Sequence, residues 1–256
     1  MCIAAGVAAG AGADALPSGA AVPRLISMGG ACVGCDLSTR KLAGAHFIGG
    51  DFRKASLVGS DLRGAMFVGS NFSEADFSHA ELQGATMAGA GFAHADFSAA
   101  GMEEITAVGA TLTGANLRNA RLYDGQLQTA DLRLVDARNA HFEGARLLSA
   151  DLQGGRFDHA SFRGAELVNA QLGSAHFTGA DFTGANLRGA NLIGADLSHV
   201  RGLTRDQFGE ACTDKTTKAP SGIGSGRSCV RTAIVIRIHP PAPPAPPRPP
   251  QPPGGA

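Results

Sequence analysis

The chain has 256 residues, with 22 acidic and 22 basic side chains and 44% hydrophobic residues, yet it contains no Trp, one Tyr and 36 Gly. Its apolar content therefore lies mainly in small side chains, which excludes a deep interior filled by large rings and fits a narrow, thin-walled core. The zero net charge hides an asymmetry, because residues 35–199 carry 18 acids and 13 bases whereas residues 200–256 carry 3 acids and 8 bases; a mildly acidic body precedes a basic tail.

Residues 1–31 read as a signal-like or flexible leader. Ile3–Leu16 is rich in Ala and Gly and ends near the small-residue run Ala13-Asp14-Ala15, which resembles the apolar part and cleavage region of a secretory signal, although no Lys or Arg precedes it. The alternative is a flexible cytoplasmic leader. Nowhere does the chain hold the ~18–20 apolar residues of a membrane span.

From Leu37 to Leu197 a large apolar residue recurs at every fifth position for 33 units, and only Ala107 and Ala137 break the series. Two residues before each of these centres stands a second regular position, Ala in 24 of the 33 units. Its large exceptions are Arg40, Ile105 and Val135. The other three positions are mostly polar or Gly, as in Ala180-Asp181-Phe182-Thr183-Gly184. A period of five matches neither an α-helix nor a flat strand, either of which would scatter the apolar residues in all directions. If each pentapeptide instead makes a short extended stretch followed by a quarter turn, four units close a coil of 20 residues and both apolar positions point to the axis. Residues 20 apart then stack, placing Phe52, Phe72 and Phe92 in one ladder and Phe142, Phe162 and Phe182 in another. The two alanine centres predict voids, and a weak or bent region around 101–107 and 134–137, unless neighbours fill them.

This uninterrupted A-[DN]-[LF]-x-x pattern over residues 35–199 resembles the pentapeptide-repeat family. The resemblance implies an all-β fold, a right-handed quadrilateral β-helix of about eight coils over residues 32–200, with the central Leu/Phe and the preceding Ala facing inward. Such a stack is held by neighbour interactions and needs both ends covered.

After Leu197 the period fails. Thr204-Arg205-Asp206-Gln207 reads as a capping box that opens a short helix through about Cys212, within a C-terminal cap segment spanning 201–238. Val230–Ile238 has strand character and could pair with an open edge. Residues 239–256 are proline-rich and read as a disordered polyproline-II tail, a spacer or tether rather than an interaction ligand.

Four cysteines besides Cys2 lie in two local pairs, Cys32 with Cys35 and Cys212 with Cys229, and these are the disulfide candidates in an oxidising compartment; reduced structural thiols are the alternative. The length of the rod separates the pairs too widely for a joint zinc site. The histidines fall in different columns or at least two coils apart. A column of carboxylates, Asp36, Asp76, Asp96, Asp136 and Asp196, lines one side as an acidic interaction surface, on a convex rod unsuited to acid–base catalysis. No nucleophile set or phosphate loop is present. The sequence thus predicts a non-enzymatic structural or protein-interaction rod of the bacterial envelope, periplasmic or secreted, with no cofactor or metal, no direct nucleic-acid binding, and a protein partner that could be a second copy. The alternative is a cytoplasmic DNA mimic that binds DNA gyrase or topoisomerase IV, as in family members that protect against quinolones; the modest charge and interspersed arginines weigh against it.

Overall fold

The computed structural model describes residues 30–224 and 226–228. Within them, every fifth residue from Ala31 to Asp181 forms a parallel β-bridge to the residue 20 places on, from Ala31↔Asp51 to Asp181↔Arg201. The chain is therefore wound into a four-sided β-solenoid, each side carrying one pentapeptide of each coil.

One unit shows how the winding is held. Leu62 N–H donates to Glu81 O at 2.7 Å, Gly64 N–H to Gln83 O at 2.9 Å, and Glu81 N–H to Ser60 O at 2.9 Å, while the corner closes through Ala65 N–H to Leu62 O at 2.9 Å. The third residue of that corner has positive φ in all 33 units from Gly34 to Gly194, and 16 of these residues are not glycine. A positive φ at the third residue alone is the type II pattern. Non-glycine side chains tolerate it at a cost because the ladder on both sides fixes the corner.

The ladder leaves one backbone N–H per unit unpaired, that of the residue after the centre. Asp or Asn just before the centre accepts it: Ser78 N–H donates to Asp76 Oδ1 at 2.8 Å, Ser98 to Asp96 at 2.7 Å, and Ile193 to Asn191 at 3.1 Å. The Asp/Asn preference at this position is thus local backbone chemistry, an Asx turn repeated along the rod.

Both regular apolar positions are buried, and the core is one continuous cluster from Leu37 to Ala211. The rings stack at coil spacing: Phe52 and Phe72 lie 4.8 Å apart, Phe72 and Phe92 5.6 Å, Phe142 and Phe162 5.0 Å, and Phe162 and Phe182 5.2 Å. Around the alanine centres the ladder does not break. Ala107 N–H donates to Gln126 O and Ala137 N–H to Arg156 O, each at 2.7 Å. Neighbours supply the missing bulk, because Ile105 and Val135 are fully buried in slots that alanine fills elsewhere.

Beyond Arg201 the winding is modified rather than abandoned. Helix α1 (Arg205–Glu210) is inserted, with Thr204 as N-cap and a capping box to Gln207, after which bridges resume at spacings stretched by one and two residues, Asn191↔Cys212 and Asp196↔Lys218. Helix α1 is shorter than expected, ending before Ala211. Phe208 is buried against the last coil, and Gln207 Nε2 donates to Ala185 O at 2.7 Å and to Phe182 O at 2.9 Å, the latter shared with the Ala185 N–H. Strand β1 (Cys212–Thr213) pairs in parallel with β2 (Arg227–Ser228). The leader before Gly30, the Val230–Ile238 segment and the proline-rich tail lie outside the described residues.

Candidate functional site

The carboxylate column is present as a stacked series: Asp36 bridges Ser56, Asp76 bridges Asp96, and Asp136 and Asp196 follow in the same register. Its members are not free. Asp36, Asp76, Asp96 and Asp196 each hold the backbone N–H of a serine two residues on. Asn116 also donates to both Asp96 oxygens at 3.1 Å. Asp136 is held by Arg138 at 2.7 Å and Arg118 at 3.0 Å, and Asp196 by Lys218 at 2.8 Å. The hydrogen bond from Lys218, with that from Ser198, draws the Asp196 carboxyl down to about 2.

The same pairing recurs on other sides through an acid-x-Arg spacing that sequence reading missed. Asp51 with Arg53, Asp61 with Arg63 and Asp131 with Arg133 close at 2.6–2.7 Å. Several arginines also reach the acid of the following coil, as Arg63 does to Glu81 at 3.4 Å and Arg133 to Asp151 at 3.7 Å. The spacing was legible: acid before a centre and arginine after it put both side chains on one strand, pointing outward. The Arg133 hydrogen bond brings the Asp131 carboxyl to about 2.

Cys32 and Cys35 are bridged at the first coil, with Cα atoms 5.4 Å apart. Cys212 is also disulfide-bonded; Cys229, its expected partner, lies outside the described residues. The Tyr123 and His141 rings lie 5.3 Å apart, tilted by 33°, and His141 Nδ1 lies 3.2 Å from Glu143 Oε1. Burial raises the Tyr123 hydroxyl, and the Glu143 charge adds to this.

Among the described residues no group of His, Cys, Asp and Glu could hold a metal ion, and no helix is long and apolar enough to cross a membrane. One open hollow there lies between Arg133, Leu134, Gln153 and Gly154, and another is lined by Phe208 of α1, Thr213 and Gly226. Neither brings a nucleophile to a base.

No curated protein matches the chain. Among solved structures, it resembles HetL, a pentapeptide repeat protein involved in heterocyst differentiation regulation in the cyanobacterium Nostoc sp. strain PCC 7120, at 24% identity over 76% of this chain and 93% of that one, with a TM-score of 0.43. It also resembles a pentapeptide repeat protein of the Arabidopsis thaliana thylakoid lumen, at 32% identity over 41% of this chain and 70% of that one, TM-score 0.31. QnrB1, a plasmid-mediated fluoroquinolone resistance protein, matches at 20% identity over 73% of this chain and 91% of that one, TM-score 0.30. The family model for pentapeptide repeats matches eight copies, over residues 32–67, 70–106, 95–133, 126–164 and 165–201. With that match spanning well over half its length, on a backbone bridged every five residues, the chain belongs to the pentapeptide-repeat family.

Proposed function

We propose that this protein is a non-enzymatic interaction rod of the bacterial envelope, with its solenoid sides as docking surfaces for another protein. The observation that carries this reading is the unbroken 20-residue bridge register. It turns every outward side chain of residues 31–201 onto one of four long ladders, and the hollows described above bring no nucleophile to a base. Local cysteine bridging at the first coil and a disulfide-bonded Cys212 support an oxidising location.

The DNA-mimic alternative draws no support from the surface. A polyanion mimic presents unpaired carboxylates to a cationic partner, whereas here several of the acids are paired with neighbouring arginines. Fractionation of host cells, followed by cross-linking and capture from the envelope fraction, tests the proposal. Recovery with a specific envelope protein is the expected result. A reduced, cytoplasmic protein that inhibits or protects gyrase would overturn it.

A further inference from the structure

Four sides run along the rod, and one differs from the others in charge. On the side formed by the strands starting at His46, Met66, Thr86, Thr106 and Gln126, no outward residue in these five coils is acidic, lysine or arginine. Its central column reads Ile48, Val68, Ala88, Val108, then Gln128, then Leu148 and Val168, closing with Arg188. Ile48, Val68 and Val108 are 46%, 38% and 39% exposed, respectively. At the corner beside them stand Gly49, Gly69, Gly89 and Gly109, and a side chain on the first three would meet nothing. From the fifth coil of this side bulk returns at the corner, with Thr129, Ser149 and Asn169, before Gly189. The sixth to eighth coils differ in charge as well, with Arg146, Glu166 and Arg188.

From this asymmetry we infer that the side is a self-association surface, occupied by a second copy lying antiparallel across it. A ladder with side chains every ~4.8 Å is met best by a surface of the same spacing, and another copy has it. When two copies overlap fully with antiparallel axes, each coil of one half faces a coil of the other half, and the register can be read directly. Ala88 faces Leu148, Val68 faces Val168, Val108 faces Gln128, and at the ends Ile48 faces Arg188. Gly69, Gly89 and Gly109 face Asn169, Ser149 and Thr129, small against large, while Gly49 faces Gly189. Arg146 falls opposite Thr86 and Glu166 opposite Met66, so no like charges meet. A parallel arrangement would instead set Arg188 on Arg188 and Leu148 on Leu148. The contact is closed by a two-fold axis and leaves no open end to propagate.

The area fixes how strong the contact is. Eight coils at ~4.8 Å, across a side ~10 Å wide, cover roughly 400 Å² per copy or ~800 Å² in total, below the ~1,200 Å² of stable complexes. The dimer is therefore a weak, concentration-dependent one.

Sedimentation velocity of the full chain over a concentration series tests this. The expected result is a reversible monomer–dimer equilibrium in the micromolar range, weakened at least ~10-fold by Val68→Lys or by Val168→Asp. Gln153→Lys, on a different side, leaves it unchanged. Mixing the Val68→Lys and Val168→Asp chains restores association, because antiparallel packing brings the two new charges together. A chain that stays monomeric throughout overturns the proposal. A dimer indifferent to both substitutions, or one that mixing fails to restore, overturns it equally. Circular dichroism of each variant keeps loss of fold apart from loss of contact.

Discussion

Ile105 fills the slot that alanine fills in most coils, and Ala107, two residues later, stands where every other centre but Ala137 carries Leu, Phe or Met; both are fully buried. The usual order of small and large is exchanged within one strand, so the strand keeps its bulk while shifting it by two residues. In the next coil Gly125 stacks on Ile105, where an added Cβ would lie in ordinary contact, 3.5 Å from Ile105 Cγ1, and closer to Leu122 O at 3.2 Å. Val135 and Ala137 repeat the exchange, and the glycine of the following coil, Gly155, is instead crowded by the Phe157 ring.

Ile105→Ala should then leave two alanines in one strand and a real cavity, destabilising the fold by ~2–4 kcal/mol. Ala107→Leu alone overpacks the same strand and costs ~1–3 kcal/mol. The double substitution restores the common order and should cost clearly less than the sum of the two, which a double-mutant cycle from urea unfolding measures. Strict additivity would show that the two sites do not share one space.

A buried hydroxyl performs a similar repair at the first aromatic coil. The Gly50 N–H does not close its own corner; it donates to Ser70 Oγ at 3.2 Å, and Ser70 Oγ donates to Phe47 O at 2.7 Å. Ser70→Ala removes this relay and strands a buried donor and acceptor, a loss of ~1–3 kcal/mol. Ser60 is equally buried, but its Oγ only donates to Leu57 O, which already accepts the Ser60 N–H. Ser60→Ala should therefore cost less, and thermal unfolding that ranks the pair the other way would refute the relay.

Leu134 occupies a corner at φ 58° with its side chain 67% exposed, so it carries left-handed strain without burying much surface in return. Leu134→Gly should raise stability by about 0.5–1 kcal/mol, since removing a left-handed Cβ clash worth ~1–2 kcal/mol is only partly offset by the freer unfolded chain. Differential scanning calorimetry reads the shift. A fall in Tm would mean that Leu134 contributes packing that its exposure hides.

Acid should weaken the rod over a defined window. Asp131 and Asp196 both have folded values of about 2 against an ordinary 3.8, held down by Arg133 and Lys218 respectively. Because the folded values lie below the unfolded ones, their contribution is complete above about pH 4 and is lost as pH falls from there toward 2. Their partners are exposed, so each pair contributes no more than ~1 kcal/mol. Urea midpoints at pH 7, 4, 3 and 2 should fall across the last three, and less steeply for Asp131→Asn with Asp196→Asn. An unchanged slope in that variant would place the acid sensitivity elsewhere.

The winding was legible because its signal repeats: 33 centres in one register determine which side of the chain faces the axis, and ring stacking followed from residues 20 apart. What the period could not show depends on events between coils. The exchange at Ile105 and Ala107 reads as two defects until both side chains are placed in one buried strand. That the Asp76 and Asp96 carboxylates also hold the N–H groups of Ser78 and Ser98 depends on the corner geometry, which the period does not show. The resumption of pairing at Cys212 and Lys218 is hidden because α1 stretches the spacing past 20. The uncharged side was within reach of the sequence, since it needs only a count of charges along one column.

The last test concerns how the stack ends. Gln207 links helix α1 to the solenoid twice, through Phe182 O and Ala185 O, and its Oε1 accepts the Thr204 N–H at 2.7 Å. A solenoid's stability is close to a sum of neighbour terms, so loss of a terminal contact should act locally before it acts globally. Gln207→Ala removes three hydrogen bonds at one position. Hydrogen exchange should then quicken first in residues 181–201, with protection around Phe72 and Phe92 retained. Phe208→Ala, which opens the apolar contact beneath the helix, should extend the effect further toward the middle of the rod. Uniform loss of protection along the whole chain would show instead that the rod unfolds as one cooperative unit, with α1 as much a part of it as any coil.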